Sequence, residues 1–524
     1  MKRITKYLCM WMAIALLLAA LGGGAAAEIT YPLANAEPLS LYNLTNPMPS
    51  NLEKAEDIPF FQGLAENTGV NLTVNFPVSG ADKNQVFNLL LTDDVLPDII
   101  WKTFTASDGE TLIEDGVIWD LTEYIPTYAP DYWAVINSPT YQSSLRNITT
   151  ASGKQFGIPA LREGLFNLCY AGPVVRMDWL EECGLEEPVT VEDWENMLIA
   201  FKDRYHARLG FTMNYFSGLT KGIASGVGAY GAFNAAYYLD DNGKVQFAQA
   251  QPEWLESMKI LHRWYEMGLI DPDVLTMDND VMRSKVLNNE IGASFTAMSQ
   301  ITNWTADAEA ENTGARWGGV TYLRTAPGPP TCMIPVAENF YQGNAAVITT
   351  SCSEEKMIEA LQFLNYGYTQ EGNMYWNYGT KDVTYTIDAE GNIAFTDLIA
   401  KSDLGLDLAA NNYLGTPGAG IALQNEQLVR MKNVPVASEA VEKWIENTDA
   451  VRHCLPNLPM DTETSTELND LLNVIATRTQ EVSYKYLTGE EFLDNFDSFV
   501  EEINKIGLPR VLEIYQTAYD AYIK

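Results

Sequence analysis

Short apolar runs alternate with amphipathic segments along this chain, and that alternation restricts its fold more than any other feature. PLSLYNL, NLTVNF, LPDIIW (96–101), IGASFTAM (291–298) and AAVIT (345–349) have the length and apolar character of strands. Between them lie helical patterns. One runs from Asp57 to a stop at Gly69, and another lies around Asn84 to Leu91. Thr190 with Asp193 three residues on starts a helix whose apolar stripe is Trp194, Met197, Leu198 and Phe201. Pro252 is a first-turn proline for a helix bearing Leu255, Met258, Leu261 and Tyr265, which stops at Gly268. Ser351 with Glu354 forms a capping box before Ile358, Leu361 and Leu364. Strands interleaved with helices in this way predict α/β layers with mostly parallel sheets.

The first 27 residues set the compartment. Lys2, Arg3 and Lys6 precede an apolar run from Leu8 to Leu21, and Ala25, Ala26 and Ala27 form a small-residue cleavage site. This is the pattern of a secretory signal peptide, too short for a membrane anchor. Cys9 lies ahead of the apolar run, where a lipidated cysteine would have to follow it, so cleavage before Glu28 without lipidation is expected. The remaining chain holds no run long enough to span a bilayer, and is expected to be periplasmic or extracellular and monomeric. It is long enough for two domains. The net charge of −36 repels nucleic acid and anionic membrane surfaces. Cys169, Cys183, Cys332, Cys352 and Cys454 are too scattered for a disulfide framework.

Catalytic signatures are missing: no GxSxG, no HExxH and no phosphate loop occurs. His206, His262 and His453 lack metal-ligand spacing, so no metal and no cofactor is expected. GVGAYG (226–231) matches GxGxxG by letter but follows no apolar strand. Acidic pairs such as Asp240-Asp241, Glu181-Glu182 and Glu354-Glu355 could serve a glycosidase only at a separation that sequence does not give. DDNGKV (240–245) reads as a hairpin turn.

Aromatic residues are the positive signal, with 12 Trp and 27 Tyr. Sugar rings offer flat C–H faces that indole and phenol rings cover, while polar side chains reach the surrounding hydroxyls. Trp101 is expected just past one strand, Trp304 on a polar loop past another, and Tyr375, Trp376 and Tyr378 on a loop beyond a helix stopped by Gly372. Trp194, Trp254, Trp264 and Trp444 fall within helices and read as packing residues. In open α/β sheets ligands bind outside the carboxyl ends of strands, which favours Trp101 and Trp304.

Six segments in order give the chain a family resemblance: LTDDVLPDII, GKQFGIPAL, VVRMDWLEECGLEEPVTVEDW, MKILHRWYEMGLIDPDVL, LQFLNYGYTQEGNMYWNYG and the ending from YLTGEEF. Together they resemble the family 1 extracellular solute-binding proteins of ABC transporters, and within it the large branch that binds alginate and aldouronate oligosaccharides. The resemblance implies a two-lobed periplasmic-binding-protein fold whose interlobe cleft closes on an oligosaccharide. It also implies delivery to a permease and no catalysis. One lobe would comprise residues 28–160 and about 340–405, the other 161–339 and about 406–524. Asn46, Arg162 and Gln300 then join Trp101, Trp304, Tyr375, Trp376 and Tyr378 as expected ligand contacts. Arg176, Asp178 and Trp179 are expected to cap and pack a helix. AFKDRYHARLGFT departs from the Asp/Asn/Gly-rich calcium loop found in many branch members, and Lys381-Asp382 replaces a family Glu-Gly. A secreted carbohydrate-active hydrolase and a binder of a non-sugar solute such as a peptide remain alternatives.

Overall fold

A computed structural model describes residues 29–523 apart from 46–47, 49–50, 53, 79, 213–236, 324–340, 416–420, 447–452 and 492–494. The signal segment, Asn46, Cys332 and the GVGAYG motif therefore lie outside the described residues. The chain forms two units that it enters alternately. The first comprises Met1–Glu163, Asn339–Lys432 and Pro459–Thr462, and the second Gly164–Glu338, Asn433–Leu458 and Glu463–Lys524. The sequence reading returned the chain to the second lobe at about 406, whereas the structure keeps residues up to Lys432 in the first unit.

In chain order the first unit opens with β1 (Leu39–Asn43), β2 (Leu72–Asn75), β3 (Ile99–Thr103) and β4 (Ile158–Arg162). The second follows with β5 (Ala171–Arg176), β6 (Arg208–Gly210), β7 (Tyr237–Leu239), β8 (Val245–Phe247), β9 (Ile291–Ala297) and β10 (Trp317–Gly319). The chain then returns with β11 (Tyr341–Ile348), β12 (Tyr385–Ile387), β13 (Ile393–Phe395) and β14 (Leu423–Gln424).

The first unit's sheet has the order β14-β4-β11-β3-β1-β2. All its strands run one way except β11, which is antiparallel to both β3 and β4. Ile99, Ile100 and Trp101 are all buried, as expected for a strand covered on both faces. The second unit's sheet, β10-β5-β9-β6, departs from the expected parallel order. Here β5, on which the chain enters, runs opposite to both β9 and β10, and only β6 and β9 are parallel. Trp194, Trp254, Trp264 and Trp444 are fully buried, as their helical positions imply.

Local chemistry explains the helix limits. Thr190 and Asp193 form the reciprocal capping box, Gly69 ends the Pro59–Thr68 helix in a left-handed conformation, and Pro252 opens the Pro252–Glu266 helix. The helix expected to begin at Ser351 instead begins at Glu354, because the Ser353 hydroxyl accepts the Lys356 amide. DDNGKV turns between β7 and β8, with the Asp240 carboxylate accepting the Asn242 and Lys244 amides.

A buried charge network stands out in each unit. In the first, Asp98 accepts the Ser40 amide and hydroxyl, the Cys352 thiol at 3.2 Å and the Lys356 ammonium at 2.8 Å. Burial alone would raise the Asp98 pKa, but Lys356 and the Ser40 and Cys352 donors outweigh it and hold the carboxyl below its ordinary value. Burial and the same carboxylate push the Cys352 thiol up to about 12, so it stays protonated as a donor. In the second unit Arg176 binds Asp178 through two parallel bonds of 2.9 and 2.6 Å, reaches Asn289 at 2.7 Å and stacks 3.9 Å from the Trp179 ring.

Because the folded Asp98 pKa is depressed, its contribution is present above the unfolded carboxyl pKa of about 4 and is lost as pH falls through the folded value. Asp98→Asn is expected to lower stability at pH 7 by about 3 kcal/mol, since it leaves the Lys356 charge uncompensated. The variant should also lose less stability than wild type below about pH 4. Urea unfolding across pH measures both effects.

Candidate functional site

The stretch LNYGYTQEGNMYWNYGT does not form the expected loop. The Glu354–Tyr366 helix ends, and a second helix, Gln370–Tyr378, starts after Thr369, whose hydroxyl accepts the Gly372 amide. Gly372 is therefore a first-turn residue of the second helix and not the stop of the first. A Cβ there would lie 1.8 Å from the Tyr366 carbonyl oxygen, so glycine permits the close approach of the two helix ends. Tyr366 and Tyr368 pack at that junction, with 1% and 3% of their surface exposed.

The three rings of the second helix are also interior. Tyr375 stacks on Phe60 at 5.1 Å and donates its hydroxyl to the Phe60 carbonyl at 2.7 Å. Trp376 lies 4.8 Å from Phe60 and meets Trp101 edge-on at 6.3 Å. Tyr378 packs 5.6 Å from Tyr385 in a small satellite core. Trp101 itself lies within β3, beside Asn43 of β1 and Ala346 of β11, and not past the strand's end. Its neighbours on both strands leave it 2% exposed.

The carboxyl ends of β1, β3, β4 and β14 lie along one edge of this sheet, with the start of β11 among them. Asn43 sits there, its side-chain oxygen accepting the Thr45 amide and hydroxyl at 2.9 and 2.7 Å. Thr103 donates to the Asn344 amide oxygen at 2.8 Å. Lys102 sits over the Phe87 and Phe104 rings, and burial lowers its pKa against the nearby charge of Asp108. Arg162 is the half-buried last residue of β4. Glu163 follows it, donating its amide to the Gln424 carbonyl at 2.9 Å. Burial raises the Glu163 pKa, the Glu426 amide bonded to its carboxylate opposes this, and the Glu426 charge adds to it.

Tyr378 joins this edge through its hydroxyl, which bonds Asn425 and faces Glu163. The structure thus brings Arg162 and Tyr378 to one place and puts Trp101 with Trp376 in the core behind it. Sequence reasoning missed Glu163, Gln424, Asn425 and Lys102. For Lys102 and Glu163 the only signal was position within or directly after a strand, and for Gln424 and Asn425 that signal requires knowing β14, a strand of two residues.

In the second unit, the polar segment expected as a loop after β9 is the Met298–Ala310 helix. Ile301, Trp304 and Ala308 line its buried face at helical spacing, and polar neighbours obscure that period in the sequence. Trp304 lies 4.7 Å from Trp317 and is 1% exposed, so it too is a core ring. Gln300 sits half-buried one turn earlier, where the helix leaves β9 and the Met298 amide bonds the Tyr170 carbonyl at 2.8 Å.

The groups that would support other chemistry are engaged elsewhere. His262 meets the Leu487 carbonyl at 3.1 Å and His453 the Leu239 carbonyl at 2.7 Å, while His206 ends a helix in a left-handed conformation. Glu182 takes Arg204 and Tyr205, Glu181 takes Arg316, and Glu354 takes the Tyr124 hydroxyl. Among the described residues no group of three His, Cys, Asp or Glu side chains could hold a metal ion. No described helix is long and apolar enough to cross a membrane.

Residues 61–398 match the family described as bacterial extracellular solute-binding protein. The match covers more than half of the chain, and the chain belongs to that family. The fructooligosaccharide ABC transporter substrate-binding protein FusA of Streptococcus pneumoniae serotype 4 is 23% identical, over 94% of this chain and 92% of its own. Lipoprotein LipO of Bacillus subtilis strain 168 is 22% identical, over 72% of this chain and 73% of its own. The structure of the alginate-binding protein AlgQ2 without calcium ion superposes with a TM-score of 0.72 at 20% identity, covering 94% of this chain and all of the other.

Two substitutions test these placements. Ala for Gly372 gains helix propensity of about 1 kcal/mol, yet the Cβ must displace the Tyr366 carbonyl. The clash wins, and a net destabilisation of about 2 kcal/mol is expected in denaturant unfolding. Trp376→Ala empties a core site and should cost about 3–5 kcal/mol. A cost below about 1 kcal/mol would instead mark an exposed ring.

Proposed function

We propose that this protein is the substrate-binding component of an ABC transporter, capturing an oligosaccharide and delivering it to membrane permease subunits without turning it over. The observation that carries the proposal is family membership together with near full-length similarity to FusA, a fructooligosaccharide-binding protein. The strand edge of the first unit supports it, with the guanidinium of Arg162 and the amide of Gln424 on paired residues of β4 and β14. Such groups form the directional hydrogen bonds that sugar hydroxyls require.

In this reading Arg162 and Gln300 are ligand contacts at a strand end and a helix start, Asn46 is a further one, and Tyr378, 1% exposed, acts from within by holding Asn425. Trp101, Trp304, Tyr375 and Trp376 act by holding those ends in place. The glycan is neutral: the chain carries −36, and Glu163 and Glu426 place two carboxylates at the edge. Export follows from the segment 1–27, with cleavage after Ala27 and no lipid, and the protein works as a monomer.

A thermal-shift screen against neutral and uronate oligosaccharides tests the proposal. A neutral glycan at 100 times its dissociation constant should stabilise the protein by about 2.7 kcal/mol. No shift with any glycan contradicts the proposal, and a shift with peptides alone replaces it with a non-sugar binder. Release of smaller sugars from a bound glycan would instead favour a hydrolase.

A further inference from the structure

The asparagines of the Gln370–Tyr378 helix do something its aromatic rings do not. Asn373 and Asn377, one turn apart, are 3% and 2% exposed. Both donate their side-chain amides to the carbonyl of Leu423 in β14, at 2.7 and 3.0 Å. Their oxygens then accept from the next residue but one: Asn425 donates its backbone amide to Asn377 at 2.9 Å and its side-chain amide to Asn373 at 3.1 Å. Leu423 and Asn425 are thus held on both sides of Gln424, whose carbonyl accepts the Glu163 amide.

A second observation points the same way. Asn425 is the residue before the Glu426–Met431 helix, where an asparagine side chain ordinarily caps the helix, yet it makes no capping bond. The side chain turns to Asn373 and to the Tyr378 hydroxyl, and the Glu163 carboxylate takes the Glu426 amide instead. A residue that forgoes its local preference is being used for something else. The short β14 also needs help, because its ladder with β4 pairs two residues, Leu423 with Leu161 and Gln424 with Arg162.

We infer that Asn373, Asn377 and Asn425 form a positioning lock that fixes β14 against β4, and so sets Arg162 and Gln424 in the arrangement that contacts the ligand. This inference rests on the oligosaccharide reading for its last step only. The lock itself is a property of the unliganded protein.

Hydrogen exchange on the unliganded protein, read with binding affinity, tests it. In Asn377→Leu the amides of Glu163 and Asn425 should exchange at least about tenfold faster, while those of β1 and β3 stay unchanged. For the glycan that wild type binds, the dissociation constant should rise about tenfold or more. Asn425→Ala, at a half-buried position that leaves both bonds to Leu423 intact, keeps the test available if the leucine variant does not fold; it should show both effects to a smaller degree. Unchanged exchange at Glu163 and Asn425 would refute the lock. Faster exchange with unchanged affinity would refute the positioning role and leave a purely structural network. Wild-type protein that binds no glycan would contradict the oligosaccharide reading, and the exchange rates would still decide the lock.

Discussion

The first unit depends on one strand that runs against the rest. β11 pairs with β3 through Asn344 to Ile348 and with β4 on its other side, so it joins two halves of a sheet that are otherwise unconnected. It belongs to the part of the chain that returns after the second unit has been traversed. Ala345, Ala346, Val347 and Ile348 are fully buried at this junction. Ala346 stands directly opposite Trp101 and its small side chain leaves room for the indole, and Gly157 meets the Ala346 carbonyl where a Cβ would lie 2.6 Å away. The same segment continues into the helix that carries Lys356, whose ammonium balances Asp98 at the opposite end of β3. Sheet closure, charge balance and placement of the aromatic helix are therefore consequences of one returning segment.

What that segment delivers to the sheet's carboxyl edge is polar and held on several sides. Tyrosine and tryptophan rings supply the apolar contact that anchors the Gln370–Tyr378 helix to Phe60, and Gly63 leaves room for the Tyr375 hydroxyl. The asparagines between those rings face the other way and bond the backbone of β14. One nine-residue helix thus has an aromatic face that fixes it and an amide face that fixes its neighbour. This explains a composition that suits neither an ordinary core helix nor a surface loop.

The alternation of strands and helices was legible because burial on both faces of a strand leaves a continuous apolar run, as in Ile99 and Ile100. Caps at Thr190 and Pro252 were legible because the orphan amides of a helix start demand particular residues. The aromatic stretch was misread because glycine at 372 looks like a terminator when the capping threonine three residues before is overlooked. Trp101 was placed just past its strand and Trp304 on a loop because polar neighbours hid, respectively, the continuation of β3 to Thr103 and a new helix. β14 was beyond reach: two residues carry no period, and only the pairing with β4 and the asparagine bonds define the strand. Family resemblance, by contrast, survived these errors, since it rests on segments in order and not on the conformation of any one of them.

The central claim is that this chain binds a neutral oligosaccharide and releases it unchanged. Calorimetric titration with a fructooligosaccharide series, followed by chromatography of the recovered sugar, tests it most directly. The account predicts saturable binding of one glycan per chain with the sugar recovered intact. Absence of binding across neutral glycans, or recovery of shortened products, would contradict it.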